Sequence, residues 1–99
     1  MSTFSNQLST DQVERLAMLA EECGEVIQIV GKILRHGYDS THPDGGPSNR
    51  ELLVNELCDI DAVWGAMRSR GDIKGYSYAK VKEVWVRKLR YTHHQEDYV

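Results

Sequence analysis

The chain has 99 residues, 40% of them hydrophobic, and its 15 acidic against 12 basic side chains leave a formal net charge of -3. That length suits a single domain with a modest core, and an acidic balance whose Lys and Arg are dense only in the last quarter argues against a general nucleic-acid binder. No apolar run is long enough to span a membrane and the opening MSTFSNQLST lacks the basic-then-apolar layout of a secretory leader, so a cytoplasmic protein with no membrane partner is expected. Cys23 and Cys58 sit in apolar context and are expected to be reduced and buried; without a CxxC pair, zinc is not indicated.

The first element is predicted from Ser9 to His36. Ser9-x-x-Gln12 has the form of a capping box, Val13, Leu16, Ala20, Cys23, Ile27, Val30 and Leu34 recur at helical spacing, and Gly37 stands where a C-cap glycine belongs. The stretch YDSTHPDGGPS that follows is dense in turn formers and reads as a loop. A second helix is predicted from Ser48-x-x-Glu51, another capping-box candidate, through Leu52, Leu53, Leu57, Ile60, Val63, Trp64 and Met67 to Gly71. After a short link, Ser77 is a plausible N-cap for a third helix carrying Tyr78, Val81, Val84, Trp85 and Leu89, ending near Tyr91. No segment alternates with the period of a strand. The expected fold is therefore all-α, one domain over residues 1–99, with the first eight or so residues and 92–99 flexible. Two long antiparallel helices and a third make a thin bundle, which a second copy of the chain is expected to complete.

The glutamates of LAEECGEVIQIV raise a question about that first helix. Residues three and four apart share a face, so Met18, Glu22, Glu25, Val26, Ile29 and Ile33 form one stripe with two acids in its middle, and Leu52, Glu56, Asp59, Ile60, Val63 and Met67 form its counterpart on the second helix. Ionised carboxylates withdrawn from water cost several kcal/mol each and repel one another. A cation is therefore expected among them, either a basic side chain of the third helix or a metal. The donors are all hard oxygens with no thiolate or imidazole in phase, which favours Mg2+, with Mn2+ able to substitute, over zinc or copper. A di-iron bundle would want Glu-x-x-His on its helices, and neither helix supplies it.

Glu21, Glu22 and Glu25 in EECGE, followed by Glu56 and Asp59 in ELCD on the next helix, resemble the motif of the MazG-like branch of the all-α nucleoside triphosphate pyrophosphohydrolases. The flanking LAEECGEVIQ and NELCDIDAVW are similar to the family's motif surroundings, and the resemblance runs roughly from Gln12 to Tyr91. It implies hydrolysis of a (d)NTP between the α and β phosphates to the monophosphate and pyrophosphate, in nucleotide-pool control or house-cleaning. It also implies Mg2+ on Glu22, Glu25, Glu56 and Asp59, with Glu21 binding a second metal or orienting the attacking water. Relatives with the same acids cleave dUTP, dCTP or phosphoribosyl-ATP, so the base stays open, and a homodimer or homotetramer is implied.

Basic residues in the family's third helix help hold the phosphates, which makes Lys80 and Arg87 the candidates here. Tyr38 and His42 in the loop could stack on or hydrogen-bond to a base, and Asn55 stands next to Glu56; Asp61 reads as a surface residue. Trp64 and Trp85 lie in apolar register and read as core or subunit-interface residues. Two rival readings remain: a non-catalytic nucleotide- or partner-binding helical module whose acids hold a structural cation, and a DNA-associated regulator with a basic third helix, against which the acidic net charge counts.

Overall fold

A computed structural model describes residues 5–98 and contains three helices, α1 (Thr10–His36), α2 (Asn49–Ser69) and α3 (Tyr78–Leu89). Among the described residues there is no strand, only an isolated antiparallel bridge between Thr41 and Ser48. The fold is all-α, as the periodicity predicts.

Local chemistry sets the helix ends. At Ser9 both halves of the capping box form: the Ser9 hydroxyl accepts from the Gln12 amide at 3.3 Å, and the Gln12 side-chain oxygen accepts from the Ser9 amide at 2.9 Å. Ser48 forms only half of its predicted box, accepting from the Glu51 amide at 3.2 Å. Ser77 caps α3 by accepting from the Lys80 amide at 3.1 Å. At the other end of α1 the chain leaves through Gly37 at φ 90°, a conformation an L side chain resists. Helix α2 ends in a Schellman motif: the Gly71 amide donates to the Arg68 carbonyl at 3.1 Å and the Asp72 amide to the Met67 carbonyl at 2.8 Å, with Gly71 at φ 82°.

Helices α1 and α2 form an antiparallel hairpin. At one end Asn49, the one buried polar residue among those described, donates its side-chain amide to the Gly37 carbonyl at 3.1 Å. At the other, Arg15 reaches Asp72 just beyond α2. Ile29, Val63 and Met67 are the buried apolar centre of this hairpin, flanked by half-buried Leu19, Val26, Ile33, Leu53 and Ile60. The stripe that turns inward on α1 is thus the one carrying Glu22. The other apolar line, with Ile27 73% and Leu34 82% exposed, faces away from α2, and Val54 and Leu57 of α2 are likewise half exposed.

Two consequences differ from the sequence reading. Cys23 and Cys58 are free thiols as expected but exposed, because they belong to the outward apolar line rather than to the line facing the partner helix. Helix α3 does not add a third layer: α1 and α2 are the only helices in contact. The link to α3 is fixed by Tyr76, whose ring lies 4.4 Å from that of Trp64, and the tail returns to place Tyr98 5.2 Å from Trp85. The radius of gyration is 17.7 Å, against about 13 Å for a compact chain of this length. The exposed surface of 8174 Å² likewise exceeds the about 5,700 Å² of a compact 11.3 kDa monomer. No helix among the described residues is long and apolar enough to cross a membrane.

Candidate metal centre

Helical phase brings carboxylates from both arms of the hairpin to one point. One oxygen each from Glu22, Glu56 and Asp59 lies within 4.8 Å of the others. Glu22 and Glu56 are half-buried where the helices meet, and Asp59 is exposed at the edge. Among the described residues no Lys, Arg or His lies within ion-pair distance of any of them; Arg15 pairs with Asp11 and Asp72, and Arg50 with Asp39.

Three carboxylates without a counter-ion conflict electrostatically. Glu56 Oε2 is enclosed and has no hydrogen-bond donor among the described residues. The carboxyl of Glu22 responds by holding its proton, its pKa pushed from 4.5 up to about 7, first by hydrogen bonding with Glu56, then by burial and by the negative charge of Asp59 and Glu56. A proton is one way to supply the missing positive charge and a divalent cation is another. The donor set suits a hard ion: three carboxylates within 4.8 Å of one another, one of their oxygens enclosed without a partner among the described residues, and an exposed edge.

Glu25 and Glu21 lie outside this group and are exposed. Glu25 follows Glu22 by three residues on the same stripe of α1, yet it is exposed and stands outside the group. Asn55 is exposed on α2.

The remaining candidates are not gathered here. Lys80 and Arg87 belong to α3, which does not touch the hairpin, and Arg87 instead lines a hollow of about 390 Å³ with Lys82, Arg90 and Asp97. Tyr38 carries the Arg50 guanidinium 4.5 Å above its ring, so one face is taken. His42 Nδ1 accepts the Asp44 amide at 3.1 Å. Asp61 is exposed as expected, and accepts from the Trp64 indole N–H at 2.6 Å.

Arg15 and Asp72 form a link that no motif in the sequence marks, and Gln12, besides capping α1, joins it. Asp72 accepts from Arg15 Nε at 2.6 Å, from Arg15 Nη2 at 3.1 Å and from the Gln12 side chain at 3.2 Å. A signal existed, since Arg15 is in phase with Leu19, Glu22, Val26, Ile29 and Ile33, so a charge on the inward line called for an acid opposite it.

Comparison of this chain with protein-family models, with curated proteins and with solved structures finds no match.

Proposed function

We propose that this protein is a Mg2+-dependent nucleoside triphosphate pyrophosphohydrolase of the MazG-like type. The observation that carries the reading is the meeting of Glu22, Glu56 and Asp59 within 4.8 Å with no basic side chain among the described residues to neutralise them. The same residues stand in the family's motif, and Mn2+ is expected to substitute.

Each residue then has a task. Glu22, Glu56 and Asp59 would hold the cation, and a side-chain rotation of Glu25, three residues from Glu22, would add a fourth carboxylate. Glu21, one residue off that stripe, orients the attacking water or helps hold a second ion. A cation held by these acids would supply the charge that neutralises a polyphosphate and orders its oxygens, which is most of what phosphoryl transfer requires. Two rigid helices keep the acids in register better than a loop could.

The phosphates also call for cations, and within one chain Lys80 and Arg87 lie on a helix detached from the hairpin. A homodimer or homotetramer resolves this by seating α3 of one protomer beside the acids of another. The excess exposed surface and the outward apolar line with Ile27 and Leu34 support such an assembly. We place the enzyme in the cytoplasm, acting on a standard or modified (d)NTP, with no membrane or nucleic-acid partner.

The same detachment of Lys80 and Arg87 favours a second reading, a non-catalytic module whose acids hold a structural cation. Pyrophosphate release from a panel of nucleoside triphosphates, with and without Mg2+, separates the two. Metal-dependent release that disappears in Asp59→Asn supports the hydrolase. Cation binding with no release from any substrate supports the module.

A further inference from the structure

The other end of the hairpin groove contains a cavity of about 420 Å³, enclosed by the last turns of α1, the 40–47 loop and the first turn of α2. That volume falls in the range of about 300–1,000 Å³ typical of small-molecule sites. Its basic lining comes from Lys32, Arg35 and His36 on the helix and His42 on the loop, and no carboxylate lines it. Among the described residues Lys32, Arg35 and His36 have no ion-pair partner, whereas Arg15 has two, Asp11 and Asp72, and Arg50 has Asp39. Basic residues in the last turn of a helix are ordinary complements to its dipole. That explains His36 and Arg35, but neither the concavity nor the loop histidine that lines it with them.

The cavity is held in shape by the backbone. The Thr41–Ser48 bridge closes the base of the loop, the Asn49 amide donates to the Ser40 carbonyl at 2.9 Å, and the Arg50 amide to the Tyr38 carbonyl at 2.8 Å. Within the loop the Gly45 amide donates to the His42 carbonyl at 2.8 Å, with Gly45 at φ 94°. Site-forming groups fixed before binding lose little entropy when a ligand arrives. Pro43 and Leu52 add apolar surface to its lining.

We propose that this cavity binds a small organic phosphate, of the size of a nucleoside monophosphate, and does so without a divalent cation. The phosphate meets Lys32, Arg35 and His42, and the flat body of the ligand lies against Pro43 and Leu52. An Arg fork together with an ammonium and an imidazole matches a phosphate dianion better than a single carboxylate. Asn49, at the cavity, is seven residues from Glu56, or about 10 Å along α2, so the site is separate from the acidic centre and stands whether or not that centre hydrolyses anything.

Calorimetric titration of the full chain in EDTA, with adenosine monophosphate, inorganic phosphate and adenosine as probes, tests the proposal. The monophosphate is expected to bind, inorganic phosphate to compete with it more weakly, and adenosine to bind at least about tenfold more weakly than the monophosphate, one charge-assisted contact being worth that much. Lys32→Glu with Arg35→Glu is expected to weaken monophosphate binding about 100-fold, and Asp59→Asn to leave it unchanged. Both substituted side chains are exposed, and amide chemical-shift mapping on the unaltered protein gives a second readout, with perturbations expected at residues 40–47. Absence of binding by monophosphate and phosphate at millimolar concentration overturns the proposal, as does binding indifferent to the charge reversals or shifts confined to the acidic centre.

Discussion

Arg15 holds Asp72 through two nitrogens, Nε at 2.6 Å and Nη2 at 3.1 Å, across the open end of the hairpin. Both side chains are largely shielded, 12% and 9% exposed. The Schellman motif at the end of α2 sets the backbone of Asp72, and the inward phase of α1 sets Arg15, so the pair closes the hairpin where no loop connects the arms. The guanidinium, with help from Gln12, holds the Asp72 carboxyl below its ordinary pKa of 3.8, working against its burial.

Breaking this pair is expected to free the end of the hairpin. Asp72→Asn leaves Arg15 shielded with Asp11 as its only acid, and should lower the melting temperature by several degrees, more than Asp44→Asn in the exposed loop. Because the folded-state pKa of Asp72 is lowered, its stabilisation is present above the ordinary value and is lost as pH falls through the folded one. Thermal melts between pH 6 and pH 2, in which the wild type loses more stability than Asp72→Asn, check the sign.

The acidic centre has the opposite pH dependence. Glu22 titrates near 7 in the folded chain against 4.5 for the free side chain, so protonation favours the fold. Its contribution is full below about 4.5 and disappears as pH rises to about 7. Metal-free protein should therefore melt lower at pH 8 than at pH 5. Glu22→Gln should flatten that slope, and Mg2+ should raise the melting temperature most at the alkaline end. A slope unchanged in Glu22→Gln refutes the assignment.

Single substitutions should separate function from stability at the same place. Glu22→Gln, Glu56→Gln and Asp59→Asn are each expected to reduce Mg2+ affinity and pyrophosphate release by more than the 10–100-fold typical of residues that only support a ligand. In EDTA the same variants should melt at or above the wild type, because mutual repulsion is relieved. Glu25→Gln should leave the metal-free melt unchanged, since its carboxylate is exposed outside the acidic group, while still weakening metal binding if it is the proposed fourth ligand. Melting curves in EDTA and metal titrations decide, and a clear drop for every variant counts against the electrostatic account.

The small centre of the hairpin should be sensitive to lost volume. Met67 is 5% exposed beside Val63 and Ile29, so Met67→Ala is expected to cost about 2–5 kcal/mol. Ile27→Ala, on the outward apolar line, should cost a monomer little. If the chain self-associates through that line, Ile27→Ala should instead lower the melting temperature in a manner that depends on protein concentration, measurable by repeating the melt over a hundredfold dilution.

Local chemistry made much of this protein legible from its sequence. Ser9, Ser48 and Ser77 begin helices because a hydroxyl can satisfy a free amide in the first turn. Gly37 and Gly71 follow helices because positive φ is cheap only without a Cβ. The 3.6-residue period places Glu22 with Glu56 and Asp59 on facing stripes. Those interactions span three or four residues, so neighbours in the chain are enough to determine them.

What the tertiary structure alone decided concerns partners distant in sequence. Helix α1 carries two apolar lines, and either could have turned inward; the one that did leaves Cys23, Ile27 and Leu34 exposed and encloses Glu22. The spacing predicts four acids together, yet three meet and Glu25 turns away, because a side-chain rotation costs less than crowding a fourth uncompensated charge among them. Arg15 finds Asp72, 57 positions along the chain, and α3 stays off the hairpin despite its regular apolar stripe. Periodicity tells a helix which face is apolar, but only the packing of one helix against another selects what that face meets.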